Sequence, residues 1–263
     1  MDLDLGAELD ARQSGGGGGG EGREGAGRGP EEAEGFGGTM DAARDLLNAT
    51  FEDGNEEHVE LATSLFSAVF PSDPLPPNLV TRKWKDMGFQ RQYMVSDLRG
   101  SGLFGLWLLD WFAQNYPDAF ADLIATHEPR EDIHYPVAAA GLNIAAFLAD
   151  VLQLRIDRAY AIRTPLYAEL ASWIGSLDDL GEAFVALFLY FEDQWQVDNA
   201  TYLGFNAQLA ALRTRLLRVV PRTHASPQEV ADAPFSRALL EERLYDESLI
   251  LPVEPSTYSC VIA

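Results

Sequence analysis

Apolar residues recur along this chain at helical spacing, in blocks separated by turn-forming residues. Between Asn55 and Phe70, Val59, Ala62, Leu65, Phe66 and Val69 fall on one stripe. Acidic residues stand at its start and Pro71 follows its end, so the spacing predicts a helix. Ser72 to Pro77 carries three prolines and predicts a turn-rich connector. Gly102 to Phe112 is apolar on nearly every side, which suits a helix at the centre of a domain rather than on its surface. Pro136 fits the first position of another helix, with Val137, Ala140, Gly141, Ile144, Phe147, Leu148 and Val151 following on one face. Phe184, Leu187, Phe188, Phe191 and Trp195 form a further stripe, and Tyr202, Phe205, Leu209, Leu212 and Leu216 the last strong one. No alternating run has comparable strength and no internal repeat is evident. The expected fold is all-α: one compact multi-helix domain.

The two ends read differently. Residues 1–38 hold 14 of the 23 glycines, with nine acidic residues and three arginines. So little large apolar surface cannot offset the entropy of ordering, and this Gly/Glu-rich stretch is expected to be a disordered tail. The helical domain is assigned to residues 40–221, starting near Met40. Residues 222–263 are expected to form a loosely ordered C-terminal tail with short helices. Ser226-Pro227-Gln228-Glu229 resembles a capping box, Phe235 to Tyr245 suits an amphipathic helix, and an extended stretch follows from Glu247.

A net charge of −22 excludes one broad class of partner. Nucleic acid requires Lys and Arg to neutralise phosphate, so no nucleic-acid binding is expected. The first residues, Met1-Asp2-Leu3-Asp4, offer neither the basic and apolar regions of a signal peptide nor the glycine needed for myristoylation. The longest apolar runs, such as Gly102 to Leu109, are too short to cross a bilayer. A cytoplasmic location is therefore expected. The single cysteine, Cys260, allows no intrachain disulfide, but Cys260-Val261-Ile262-Ala263 reads as a prenylation box whose final Ala favours farnesyl. One lipid chain, with no polybasic patch or second cysteine behind it, implies peripheral attachment to the cytosolic face of a membrane that is either reversible or helped by a protein partner.

Several familiar chemistries fail on inspection. Gly100-Ser101-Gly102-Leu103-Phe104-Gly105 matches the dinucleotide fingerprint by letter, yet that motif needs a buried strand before it and βαβ alternation around it. Asp97 and Arg99 stand directly upstream instead. A protein-kinase reading of the same glycines lacks the downstream catalytic and metal-binding loops. His58, His127, His134 and His224 have no mutual metal-ligand spacing and read as surface or capping residues, so no metal site is expected. No nucleophile elbow is present.

What remains is Trp84 to Gln90, then Asp97 to Gly102, then the central helix. Trp84 and Phe89 can pin an irregular segment to the core, while Gly88, Gly100 and Gly102 permit backbone conformations and close approaches that other residues resist. Arg99 then sits on a short, firmly held loop, suited to meeting a partner's phosphate. The other reading of Arg99 is structural, as an ion pair with Asp97 or a buried carboxylate. Gln90 divides similarly, between orienting water or Arg99 and capping the loop backbone. Asn143, within a helix, reads as a satisfied polar contact.

The pattern Trp-x3-Gly-Phe-Gln, six residues, then Asp-x-Arg-Gly-x-Gly-Leu-x-Gly-Leu resembles the signature of the ELMO (engulfment and cell motility) domain. Trp84, Gly88, Phe89, Gln90, Asp97, Arg99, Gly100, Gly102, Leu103, Gly105 and Leu106 carry the match. Similarity extends upstream to Phe70-Pro71 and downstream through Tyr135-Pro136, Gly141 to Ile144 and Gly204-Phe205-Asn206, covering roughly Asn55 to Arg218. Three positions depart: Met94 stands where the family usually has Pro, Ser96 for Thr, and Leu98 for Phe. The resemblance implies an ELMO-type helical domain that activates an Arf-family small GTPase, with Arg99 as an arginine finger acting in trans. GTP and Mg²⁺ would then belong to the partner, and the chain would need no cofactor of its own. It equally allows a non-catalytic GTPase-binding or scaffold module of the kind that partners Rho-family exchange factors. The longer scaffolds carry armadillo-type repeats and a pleckstrin-homology region, for which this chain has no room.

Overall fold

The computed structural model describes residues 30–127, 134–155, 174–219 and 237–246. Among them the chain is helical, with no strand and a single isolated antiparallel bridge between Val80 and Tyr93. No helix among the described residues is long and apolar enough to cross a membrane. Cys260, the Ser226 capping box and His224 lie outside the described residues.

The architecture is organised around α4 (Gly102–Asn115). Leu103, Phe104, Leu106, Leu108, Leu109 and Phe112 are all buried, so this helix has little solvent face and needs neighbours on most sides. They are α1 (Pro30–Asn48), α2 (Glu56–Val69), α5 (Pro117–Thr126), α6 (Val137–Val151) and α7 (Leu177–Val197). Around Phe112 the rings of Phe120, Phe184 and Phe188 pack edge-to-face, with centroids 5.1, 6.4 and 5.7 Å away. On the far side, α8 (Phe205–Val219) and α9 (Arg237–Tyr245) dock on α7 and on each other. Arg215 joins this pair by donating to the Leu244 carbonyl at 2.7 Å and to the Asp246 carbonyl at 2.7 Å.

Helix ends follow their local chemistry. Asn55 Oδ1 accepts from the Glu57 and His58 amides to open α2, and Ser176 with Asp179 forms a reciprocal capping box at α7. Helix α6 stops at a left-handed residue, Gln153 (φ 53°), with the Leu154 amide reaching back to the Ala149 carbonyl at 2.9 Å. Asn199 (φ 46°) ends α7 in the same manner.

Three features differ from the periodicity-based expectation. Helix α1 begins at Pro30 and so reaches back into the stretch expected to be a tail. Met40, Ala43 and Leu47 are buried on the core, and Thr39 donates to the Gly175 carbonyl at 3.0 Å. Burial from Thr39 onward stabilises a helix which composition alone disfavours. Helix α5 lies outside the named stripes; it starts at Pro117, only one residue after α4 ends, and buries just Phe120 and Leu123. Pro136 precedes α6 as its extended cap residue (ψ 103°) instead of occupying its first turn.

Candidate functional site

The signature segment is built from an anchor, a crossing and an exposed turn. Trp84, within the short helix α3 (Lys83–Asp86), is fully buried. Its Nε1–H donates to the Leu79 carbonyl at 3.0 Å, and its ring packs edge-on against Phe66 and Phe89 at 5.1 and 5.4 Å. After the anchor the chain crosses the start of α6. The Met87 and Gly88 carbonyls accept from the Ala138 and Ala139 amides at 3.2 Å each, satisfying N–H groups that a helix start leaves without partners. Gly88 adopts φ +98°, and a Cβ there would stand 2.3 Å from the Val137 nitrogen. A side chain cannot be accommodated at this crossing, which accounts for the glycine.

The two halves of the signature meet through Asp97. Its Oδ2 accepts from the Gln90 amide at 2.6 Å, and its Oδ1 lies 3.1 Å from the Ser96 hydroxyl. The capping expected of the Gln90 side chain is thus performed in reverse, by Asp97 on the Gln90 backbone, while Gln90 itself is exposed. Tyr93 adds a tie by donating to Asp53 at 2.7 Å; that hydrogen bond, helped by partial burial, pushes its phenol up to about 12. The following segment, Met94–Gly100, is a 3₁₀ helix and not an open loop. Met94 and Leu98 point into the core and turn Arg99 outward.

Arg99 is exposed, and its Nε donates to the Ser96 carbonyl at 3.0 Å. Among the described residues it forms no ion pair, so the structural alternative of a bond to Asp97 or a buried carboxylate is not the arrangement found. Gly102 then locks the turn against α1: its φ is +56°, and a Cβ would lie 2.2 Å from the Leu47 carbonyl oxygen. Gly100 has no such constraint, with nothing within 4 Å of a Cβ. Beside Arg99 is a cleft of about 360 Å³, walled by Leu47 to Phe51, Val95, Leu98, Gly102 and Arg155. Two arginines and no carboxylate line it, and Arg155 is paired with Asp150 behind it. Nothing in the local sequence marks Arg155 for this place, because it arrives from 55 residues beyond Gly100.

The histidines divide differently from expectation. His58 caps the Glu52 amide at 3.0 Å, as anticipated. His134 stacks on Tyr202. His127, however, is buried, with Nδ1 accepting from the Tyr135 amide at 3.3 Å and Nε2 lying 2.7 Å from Glu192 Oε2. The amide contact leaves the proton on Nε2, which donates to the carboxylate. Tyr135 donates its hydroxyl to the same oxygen at 2.7 Å. Burial pushes Glu192 up, but the hydrogen bonds from His127, Tyr135 and Gln196 outweigh it and hold the carboxyl below its ordinary range. The same burial, together with Glu192, raises the Tyr135 phenol well above its own. With the Tyr135 hydroxyl and His127 both committed to Glu192, this cluster braces α7. Asn143 is exposed and bonds back to the Ala139 carbonyl at 2.7 Å, a satisfied contact as expected. No group of three or more metal-ligating side chains occurs among the described residues.

The model of the ELMO/CED-12 family matches residues 41–209. ELMO domain-containing protein A of Dictyostelium discoideum is 26% identical over 186 residues, covering 65% of this chain and 19% of its own length. ELMO domain-containing protein C of the same organism is 25% identical over 230 residues, covering 79% and 36%. Human ELMO domain-containing protein 2 is 25% identical over 146 residues, covering 55% and 47%. The chain therefore spans less than half the length of each of these relatives. No solved structure matches it.

Proposed function

The chain belongs to the ELMO/CED-12 family, and on that premise we propose that it is a GTPase-activating protein for an Arf-family small GTPase, with Arg99 entering the partner's nucleotide site. The observation that carries this reading is the condition of Arg99. It is exposed on a braced 3₁₀ turn, and Asp97, the nearest acid in sequence, is occupied by the Gln90 amide and Ser96. Among the described residues nothing bonds the guanidinium Nη groups, which suits them to meet an external anion.

Hydrolysis needs little covalent chemistry from an activator. Water held by the GTPase attacks the γ-phosphorus, the bond to the bridging β–γ oxygen breaks, and GDP and phosphate leave. Negative charge moves onto the bridging and γ oxygens, and a planar guanidinium donating to them lowers the barrier. An arginine supplied in trans contributes roughly 10³ to 10⁵ in rate. Nucleotide, Mg²⁺ and water all come from the partner.

The test is single-turnover hydrolysis on a panel of Arf and Arf-like proteins loaded with GTP. The wild type is expected to accelerate at least one of them, and Arg99→Ala and Arg99→Lys to lose about 10³-fold of that effect. Both variants should melt within about 2 °C of the wild type, since Arg99 makes one exposed hydrogen bond. No acceleration anywhere on the panel, including binding without acceleration, refutes the activator reading. Full activity in Arg99→Lys refutes the finger mechanism, because lysine lacks the fork.

A further inference from the structure

We propose that Arg155 is a positioning residue for Arg99, holding the end of the turn that presents it; this rests on the reading of Arg99 as the residue that enters the partner's site. Arg155 donates through Nη2 to the Gly100 carbonyl and through Nε to Asp150 Oδ1 at 2.9 Å. One guanidinium thus bridges the end of α6 and the last residue of the 3₁₀ helix. The bonded carbonyl belongs to the residue directly after Arg99, at a helix end where carbonyls lack internal partners.

The platform beneath Arg155 is itself rigid. Gln153 in its left-handed conformation closes α6, and Leu154 is buried at 1% exposure. The Leu154 carbonyl accepts from Arg44 Nε on α1 at 3.2 Å. The chain just after Arg99 is consequently held at two points. Gly102 is pressed against the Leu47 carbonyl, and Gly100 is tied to α6 through Arg155. Without Arg155 the Gly100–Ser101 peptide keeps only the bond from the Ser101 amide to the Leu98 carbonyl at 3.2 Å, and exposed Gly100 has no side chain to hinder its rotation.

A half-exposed guanidinium on a half-exposed carboxylate adds little to global stability. Its effect should therefore appear in the rate and not in the melting curve. A transition state is sensitive to small misplacement of the group that stabilises it. Exchanging one charge-assisted bond for water predicts a loss of roughly tenfold. Lysine can reach one acceptor but cannot bridge both, so Arg155→Lys should fall between wild type and Arg155→Ala.

The experiment uses the full chain as wild type, Arg155→Ala and Arg155→Lys. Three quantities are measured: the saturating single-turnover rate, the activator concentration giving half that rate, and amide hydrogen exchange over residues 96–102. Positioning predicts about a tenfold lower saturating rate in Arg155→Ala, half-saturation unchanged within about twofold, and faster exchange at the Ser101 amide. An unchanged saturating rate overturns the proposal. So does a raised half-saturation concentration at full saturating rate, or a lower rate with unchanged exchange, since either assigns Arg155 to direct contact with the partner. If the wild type activates no GTPase, the activator reading falls by itself. Exchange then decides on Arg155 alone: faster in Arg155→Ala supports the brace, and unchanged overturns it.

Discussion

Two glycines flank Ser101, and the structure assigns them opposite tolerance to a methyl group. At Gly102 an alanine would have to adopt φ +56°, which costs an L-residue about 1–2 kcal/mol. Its Cβ would also lie 2.2 Å from the Leu47 carbonyl oxygen and 2.9 Å from the Leu47 carbonyl carbon. Those atoms are backbone at the end of α1 and cannot rotate aside. Relief requires α4 to move away from α1, and overpacking of this type typically costs about 1–3 kcal/mol more. Gly102→Ala should therefore lose about 2–5 kcal/mol in all. At Gly100 the φ is ordinary and no atom lies within 4 Å of a Cβ, so alanine should be neutral or stabilise by up to about 1 kcal/mol through the unfolded chain. Equilibrium urea unfolding followed by circular dichroism measures both, with similar slopes required for the comparison to hold. Equal effects of the two substitutions, or a loss below about 1 kcal/mol at Gly102, would refute the account of how α4 meets α1.

Trp84→Phe keeps an aromatic ring but removes the donor to the buried Leu79 carbonyl, so a loss of about 2–4 kcal/mol is expected in the same urea assay. A loss under about 0.5 kcal/mol would mean the anchor is not what holds the signature segment. Glu192→Gln tests the buried brace through pH. The folded carboxyl sits below its ordinary value, so its ionised form stabilises the fold above about pH 4.3 and that contribution disappears as pH falls through the folded value. Glutamine has no such contribution to lose. The melting-temperature gap between wild type and Glu192→Gln should therefore be widest near neutral pH and narrow on acidification. A gap that stays constant from pH 7 to about pH 3 would refute the assignment.

The site has a simple division of labour in physical terms. Trp84 and Gly88 secure the chain to the core and to the start of α6, Asp97 joins the two halves of the signature, and the buried pair Met94 and Leu98 sets which way the 3₁₀ helix faces. Most of the signature residues are thus accounted for by folding. Gly100, the Gln90 side chain and Arg99 are exceptions, and Arg99 is the charged one among them.

Much of this was legible in the linear sequence. The apolar stripes of α2, α4, α6, α7 and α8 follow from a period of 3.6, a local property that survives without knowledge of any neighbour. The all-round apolar character of Gly102 to Phe112 already implied a central helix, and the spacing from Trp84 to Leu106 already implied the family. Other features appear only once distant segments meet. Whether Arg99 was paired or exposed depended on Asp97 finding the Gln90 amide, and on Met94 and Leu98 turning inward. His127 looked like a surface histidine because its partner, Glu192, is 65 residues away along the chain. Arg155 carried no signal at all, for the carbonyl it holds is 55 residues upstream. Helix α1 begins at Pro30, ahead of Met40, and is held by the burial of Thr39, Met40, Ala43 and Leu47, against what its glycines favour. Periodicity and composition describe what each segment needs to bury. Which charges remain free, and which long-range hydrogen bonds hold them in place, is decided only when packing brings the segments together.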